Sequence, residues 1–373
     1  MKTAFIYSDE FARFDYGASH PLKLVRLQLT YELVRACGLL APSDPRVRKP
    51  LPARVEDLLA FHTREYVGVL QASNDGAEAP GAEEHGLGPG DNPVFKGLFD
   101  GSLLVAGASL LAARLVDDGE AEIAFNIAGG LHHARASQAS GFCYINDPVL
   151  AIKALVTRGR RVAYIDIDAH HGDGVQAAFY DTDRVLTISL HESGRFLFPG
   201  TGFEQELGEG PGKGCSVNIP LPPEADDEVF VHAFVGTVPA LIEQFKPDII
   251  VSQLGVDAFR SDPLAHLNIT TNGFCEILKV IKSLARKWVA LGGGGYDIAN
   301  VARAWTLAWA VMNDEKAPDE IPENFLRRYA DSGFQGGKLR DEPFVITGKG
   351  KEAMMKEADR VIKFIREHAG NRR

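Results

Sequence analysis

The sequence predicts a single α/β domain: a parallel sheet with helices on both faces. Two observations carry that prediction. From about residue 122 to 312, short apolar runs alternate with longer helical patterns, the order that builds βαβ units. Several of those runs also end abruptly in polar clusters, as strands buried on both faces do where the chain leaves the sheet.

Taken in order, a first strand is expected over 3–7, and His20-Pro21 precedes an amphipathic helix over 24–37. Residues 42–52 read as a proline-punctuated connection and 55–70 as a helix. Residues 75–93 are rich in Gly, Pro and acidic residues and read as a long surface loop, which in a compact domain is usually functional or mobile. A small-residue helix over 97–115 leads to a strand at 122–127. Helices then follow at 148–157, 174–180, 229–245, 273–286 and 299–312, with strands at 161–167, 184–191, 216–219, 248–253 and 288–291. The last 60 residues are charged and irregular, with one amphipathic helix over about 351–367. Polar clusters at strand ends between about 126 and 296 favour one domain across 1–373 over two, with a motif-bearing core over about 3–312 and a tail over 313–373.

Composition narrows the function. Lys and Arg number 40 against 50 Asp and Glu, a net charge of −10, and no basic block stands out. That argues against nonspecific nucleic-acid binding and favours cationic partners such as lysine-rich peptides or polyamines. Cys37, Cys143, Cys215 and Cys275 are scattered, with no CxxC pair. The N-terminus reads as a strand, and no apolar run approaches a membrane span. A soluble protein of a reducing cytoplasm is expected.

The chemistry centres on Arg161-Val-Ala-Tyr-Ile-Asp-Ile-Asp-Ala-His-His-Gly-Asp-Gly174, which places Asp166, Asp168, His170, His171 and Asp173 just beyond an apolar strand. An extended backbone would aim Asp168 and His170 the same way. Taken alone, the run also reads as an aspartate-capped helix start. Three further clusters are Asn126-Ile-Ala-Gly-Gly-Leu-His-His133, Gln253-Leu-Gly-Val-Asp257 and Gly292-Gly-Gly-Gly-Tyr296. Taken singly, these read equally as incidental histidines, a turn aspartate and a glycine-rich loop; no P-loop Lys-Ser/Thr follows the last. Together, Asp168, His170 and Asp257 would give three ligands to one divalent metal and leave a position open, as catalytic zinc requires. His132 and His133 would then serve as base and acid, with Asp166 and Asp173 behind them, and Tyr296 would donate to a developing oxyanion.

Seven motifs in order carry a resemblance: His20-Pro-Leu-Lys with Arg26, Pro93-Val-Phe-x-Gly-Leu-Phe99, Gly129-Gly-Leu-His-His133, Gly141-Phe-Cys-Tyr-Ile-Asn-Asp147, Asp166-Ile-Asp-Ala-His-His-Gly-Asp-Gly174, Phe198-Pro-Gly-Thr-Gly202 and Gly292-Gly-Gly-Gly-Tyr296. The chain resembles the zinc-dependent histone deacetylase family, close to its class I branch and similar to the bacterial acetoin-utilisation deacetylases. The resemblance implies an arginase-like fold around an eight-stranded parallel sheet, and a deacetylase that hydrolyses acetyl-lysine in proteins. Acetylpolyamines and other small acetylated amines are the alternative substrates.

By the same resemblance, Asp168, His170 and Asp257 bind Zn2+, or Fe2+ in its place. His133 with Asp173 is the main general base and acid, His132 with Asp166 steadies charge, and Tyr296 polarises the carbonyl. Phe142 and Phe198 flank the acyl-lysine chain, with Gly141, Leu264 and Gly294 completing the tunnel and Asp91 at its rim. Potassium sites fall on Asp166, Asp168, His170, Ser189 and Leu190, and on Phe179, Thr182 and Val185. Arg26 lines an internal cavity. Cys215 departs from the tyrosine common there, and the tail lacks the long acidic or basic extensions of nuclear members, so chromatin complexes are not implied. A two-manganese ureohydrolase of the same fold would need an aspartate where Gly255 stands. A non-catalytic acyl-lysine reader would be expected to lack His133 or Tyr296, and both are present.

Overall fold

The computed structural model describes residues 2–334 and 337–370. In chain order the elements are β1 (Thr3–Ile6), α1 (Val25–Ala36), β2 (Val47–Arg48), α2 (Val55–Leu58), α3 (Arg64–Ala72), α4 (Leu98–Asp117), β3 (Ile123–Asn126) and α5 (Asp147–Thr157). There follow β4 (Val162–Asp166), α6 (Asp173–Ala178), β5 (Val185–Glu192), β6 (Ser216–Leu221), α7 (Asp227–Phe245), β7 (Ile249–Gln253), α8 (Thr271–Leu284), β8 (Trp288–Leu291), α9 (Ile298–Met312), α10 (Glu323–Arg328) and α11 (Lys349–His368). The strands form one eight-stranded sheet in the order β2-β1-β3-β8-β7-β4-β5-β6, and every neighbouring pair is parallel.

Every residue of β3, β4, β5 and β7 is buried. Helices cover both faces of a parallel sheet, so its strands read as continuous apolar runs rather than alternating ones. The helices start where side chains supply the missing acceptors. Asn146 takes the Val149 amide at the head of α5, Asp226 the Val229 amide at α7, and Asp297 those of Ala299 and Asn300 at α9.

Pairing register explains why the site residues meet. Asp166 at the end of β4 lies level with Ser189 on β5 and Gln253 on β7, Gln253 lies level with Leu291 on β8, and Leu291 with Asn126 on β3. The loops that leave these strands therefore start from one line along the carboxyl edge of the sheet, where open α/β folds place their ligands. Past that edge the β7 and β8 loops stay joined: Leu254 N donates to Gly292 O (2.8 Å) and Val256 N to Gly294 O (2.9 Å). The buried Trp305 of α9 braces the same corner, its indole N–H donating to Leu254 O at 2.9 Å.

Three expectations are corrected. The helix expected over 55–70 is two helices, because His62 turns inward, its ring bonding to Arg135 O and Asn146 N, and Thr63 restarts the chain by accepting the Tyr66 amide. The connection over 42–52 contains β2, an edge strand too short to show a period. The third concerns α4, which has the length and apolar character of a membrane span, where none was expected; most of that stretch is buried inside the fold, against α5, β3 and β8.

α4 also yields a prediction whose sign runs against helix propensity. A Cβ added at Gly107 would lie 1.9 Å from Leu51 O and 2.7 Å from Ala53 N. Gly107→Ala should therefore destabilise by about 1–3 kcal/mol, where an open helix position would gain up to about 1 kcal/mol. The midpoint of urea unfolding reads the sign.

Candidate active site

β4 stops at Asp166, not at His170 as an extended reading implies. The chain turns there because each aspartate accepts the amide two residues on: Asp166 Oδ1 from Asp168 N (3.1 Å) and Asp168 Oδ1 from His170 N (3.0 Å). Two successive turns of this kind bring Asp168 and His170 to one point without extended geometry. Asp257 arrives from the β7 loop and is fixed by the Ala169 amide on its Oδ1 at 2.8 Å.

His170 Nδ1 then lies 3.1 Å from Asp168 Oδ1 and 3.0 Å from Asp257 Oδ2. One ligand atom from each of the three buried residues falls within 4.8 Å of the others. The cluster calls for positive charge. Burial and then the Asp168 charge push the Asp257 carboxyl up to about 7, and although burial opposes it, the two carboxylates hold the His170 imidazolium up to about 10. Two carboxylates and one imidazole around a single point are a donor set for a divalent cation.

Backbone comes unusually close here, and side chains at two glycines would block it. A Cβ at Gly294 would lie 2.0 Å from Asp257 Oδ2, and one at Gly255 would lie 2.2 Å from Asp168 Oδ2. Gly255 also stands where a two-metal centre would need an extra bridging carboxylate, and it supplies none.

The histidine pair stands beside the triad. His132 Nδ1 lies 2.7 Å from Asp166 Oδ2, His133 Nδ1 lies 2.7 Å from Asp173 Oδ1, and the two Nε2 atoms are 3.0 Å apart. Their loop is held from α5: Asp147 accepts the Gly130 and Leu131 amides, and Asn146 donates to the carbonyls of His132 and Ala134. The rings differ in charge. Burial opposes protonation of both, but the Asp166 and Asp168 charges hold His132 up to about 9, whereas burial and the His132 charge push His133 down to about 4. The pair thus favours one positive charge, on His132, with His133 the neutral member. Tyr296 stays protonated, since burial and then the Asp257 and Asp168 charges raise its phenol well above the ordinary range. His132, His133, Gly141, Phe142, Asp168 and Tyr296 line one narrow cavity.

Residues 20–312 match the family model of the histone deacetylase domain. The chain belongs to the histone deacetylase family. Acetoin utilization protein AcuC of Bacillus subtilis (strain 168) is 41% identical over 335 residues, 88% of this chain and 86% of that protein. Histone deacetylase 1 of Homo sapiens is 39% identical over 351 residues, 93% of this chain and 71% of its own length. Histone deacetylase 3 of Oryza sativa subsp. japonica is 40% identical, and the match spans 64% of that protein. The crystal structure of an HDAC homolog from Aquifex aeolicus superposes with a TM-score of 0.87 at 35% identity, covering 96% of this chain and 100% of that one; an HDAC homolog complexed with SAHA gives the same values. The fold is therefore the deacetylase fold, and the chain is a deacetylase-family hydrolase.

Within that frame the remaining residues fall as follows. Phe142 stacks edge-on to Tyr296 (5.6 Å) and Phe198 edge-on to His133 (5.0 Å), with 44% of Phe198 exposed at the mouth. Gly141 and Gly294 line the cavity. Leu264 follows Asp262 in the β7–α8 loop, half-buried, with its amide on Asp262 Oδ1. Asp91 is exposed, and its carbonyl lies 3.2 Å from His20 Nε2. Of the potassium candidates, Asp166 already accepts from the Tyr164 hydroxyl as well as facing His132, and Ser189 and Leu190 sit beside it on β5. Phe179 and Thr182 stand in the turn after α6, with the Thr182 amide donating to Phe179 O, and Val185 opens β5. Arg26 is buried, donates to Gly295 O and Gly293 O, and lines a second, largely apolar cavity.

Sequence reasoning missed three supports. Gln253 Nε2 donates to Asp168 Oδ2 at 2.5 Å, Asp262 Oδ2 accepts the Tyr296 amide at 2.7 Å, and Arg135 donates to Asp173 at 2.6 Å. The signal for Gln253 was present: a glutamine closing an apolar strand is a buried amide that needs a partner. Gln253→Leu, which leaves that oxygen only the Gly294 amide, should weaken metal affinity by about 10–100-fold, read by competition with a chromogenic chelator.

Proposed function

We propose that the chain is a single-metal deacetylase that hydrolyses the acetyl amide of lysine side chains in proteins. The observation that carries this reading is the juxtaposition of the Asp168, His170 and Asp257 cluster with two histidines, each tied at 2.7 Å to its own carboxylate. Zn2+ fits the donor set best, with Fe2+ the next choice; when bound, the ion supplies a Lewis acid that acidifies water and polarises the carbonyl. Potassium at the Asp166 and Phe179 groups is part of the same proposal.

The chain's own residues do the rest. His133, neutral and with Nδ1 engaged by Asp173, accepts the proton of the attacking water at Nε2. His132, already charged against Asp166, offsets the negative charge that builds beside it. The Tyr296 hydroxyl donates to the oxygen of the tetrahedral intermediate, and the proton held on His133 passes to the departing lysine amine as the C–N bond breaks. Phe142 and Phe198 flank the approach, where each methylene of the lysine chain that is buried contributes about 0.8 kcal/mol.

The test is a panel of acetyl-lysine peptides, acetylpolyamines and longer acyl-lysine peptides offered to the metal-replete protein. Turnover of acetyl-lysine peptides above the others is expected. Turnover confined to acetylpolyamines would reassign the substrate to small amines, and no turnover of any would remove the deacetylase reading.

A further inference from the structure

One wall of the approach to the cavity rests on a backbone conformation that its residue resists. Ser140 and Cys143 exchange both backbone hydrogen bonds, Ser140 N donating to Cys143 O (3.0 Å) and Cys143 N to Ser140 O (2.9 Å). The two residues between them, Gly141 and Phe142, lie at φ +51° and +67°. A two-residue turn with positive φ at both central positions is of type I′, which selects Asn, Asp or Gly. Phenylalanine is disfavoured there, because its Cβ crowds the carbonyl oxygen that follows. Strain of this kind persists only where the surroundings over-determine it, and it gathers at functional sites.

Tyr16 is part of those surroundings. Its hydroxyl donates to the Phe142 carbonyl at 3.0 Å, across 126 positions of sequence. The Tyr16 ring is wedged among His20 (4.8 Å between centroids), Phe95 (5.2 Å) and Tyr144 (5.5 Å). His20 is fixed in turn: its Nδ1 accepts the Leu22 amide, and its Nε2 meets the Asp91 carbonyl. Its ring then stands edge-on to Phe142 at 4.5 Å. A hydroxyl on a loop carbonyl ordinarily does no more than tie two segments together. Here the carbonyl belongs to a residue whose backbone would relax by leaving, so the tie decides where the ring stands.

We propose, on the strength of the deacetylase reading above, that Tyr16 is a positioning residue for substrate binding. By holding the Phe142 carbonyl, it keeps that strained residue in place as a wall for the lysine chain. Tyr16 acts only through Phe142 and touches neither the metal cluster nor the histidine pair by hydrogen bond.

The test has two arms, and the first needs no activity. In ordinary backbone alanine is the more stable replacement, but at φ +67° glycine escapes the strain. Phe142→Gly should therefore unfold at a higher urea concentration than Phe142→Ala, and the reverse order would overturn the inference. The second arm is a cycle on the metal-replete full chain with an acetyl-lysine peptide. A displaced ring loses its grip on one or two lysine methylenes, which is about four- to fifteenfold in binding. Tyr16→Phe should raise KM by that factor and leave kcat within about twofold, since a grip on the chain is made equally before and during reaction. In the Phe142→Gly background no ring remains to be placed, so the same substitution should change kcat/KM by less than about twofold. An unchanged KM in Tyr16→Phe, or an equal loss in both backgrounds, overturns the inference while the deacetylase reading stands. Wild-type protein that turns over no acetylated amine removes that reading, and the placement of a substrate wall falls with it.

Discussion

In His133→Ala, turnover of an acetyl-lysine substrate is expected to fall by about two to four decades while bound metal stays at the wild-type level. The two readouts separate because His133 Nε2 faces His132 and its Nδ1 faces Asp173, so the ring touches no member of the metal cluster by hydrogen bond. The fold should survive, since Asp173 keeps Arg135 as a partner at 2.6 Å and its charge is not orphaned. Tyr296→Phe should lose a comparable factor, because the ring can still pack edge-on to Phe142 while the hydroxyl donor is gone. Steady-state kinetics with elemental analysis of the same samples decides both. Near-wild-type turnover in either variant would take that residue out of the mechanism.

Asp257→Asn is expected to fail at an earlier step, in holding the ion. The asparagine can still accept the Ala169 amide, so the loop geometry is preserved. One of two carboxylate charges in a fully buried cluster is nonetheless lost. Removing a partner that only orients a ligand costs about 10–100-fold in metal affinity, so loss of a ligating charge should exceed about 100-fold. Dialysed protein should retain little metal, and excess metal should restore part of the activity. A variant that keeps its metal through dialysis would show that Asp257 is no ligand.

Much of this site was legible in the sequence because buried parallel strands are read as apolar runs and their polar ends stand out. Asp166 to Asp173, Asn126 to His133, Gln253 to Asp257 and Gly292 to Tyr296 all announced themselves in that way, and the sheet brings all four together. What was not legible depends on contacts between segments far apart in the chain. Gln253, whose place at the end of an apolar strand called for some partner, finds it in Asp168 across 85 positions, and Arg135 reaches Asp173 across 38 with no local signal at all. The break between α2 and α3 escaped periodicity because His62 is drawn inward by Arg135 and Asn146, long-range partners that override local helix preference. β2 was hidden for a different reason: two residues define no period, and only pairing with Phe5 and Ile6 makes them a strand. The turn at Asp168 shows the reverse case. The residues converge as expected, through stacked aspartate turns instead of an extended strand.

The central claim is that one divalent ion at Asp168, His170 and Asp257 makes this chain a hydrolase. Stripped of metal with a chelator and titrated with Zn2+, the protein should regain activity on an acetyl-lysine peptide in step with bound metal, both levelling at about one ion per chain, as a single catalytic site requires. Full activity in the stripped protein, or activity that rises only with a second equivalent, would contradict the account.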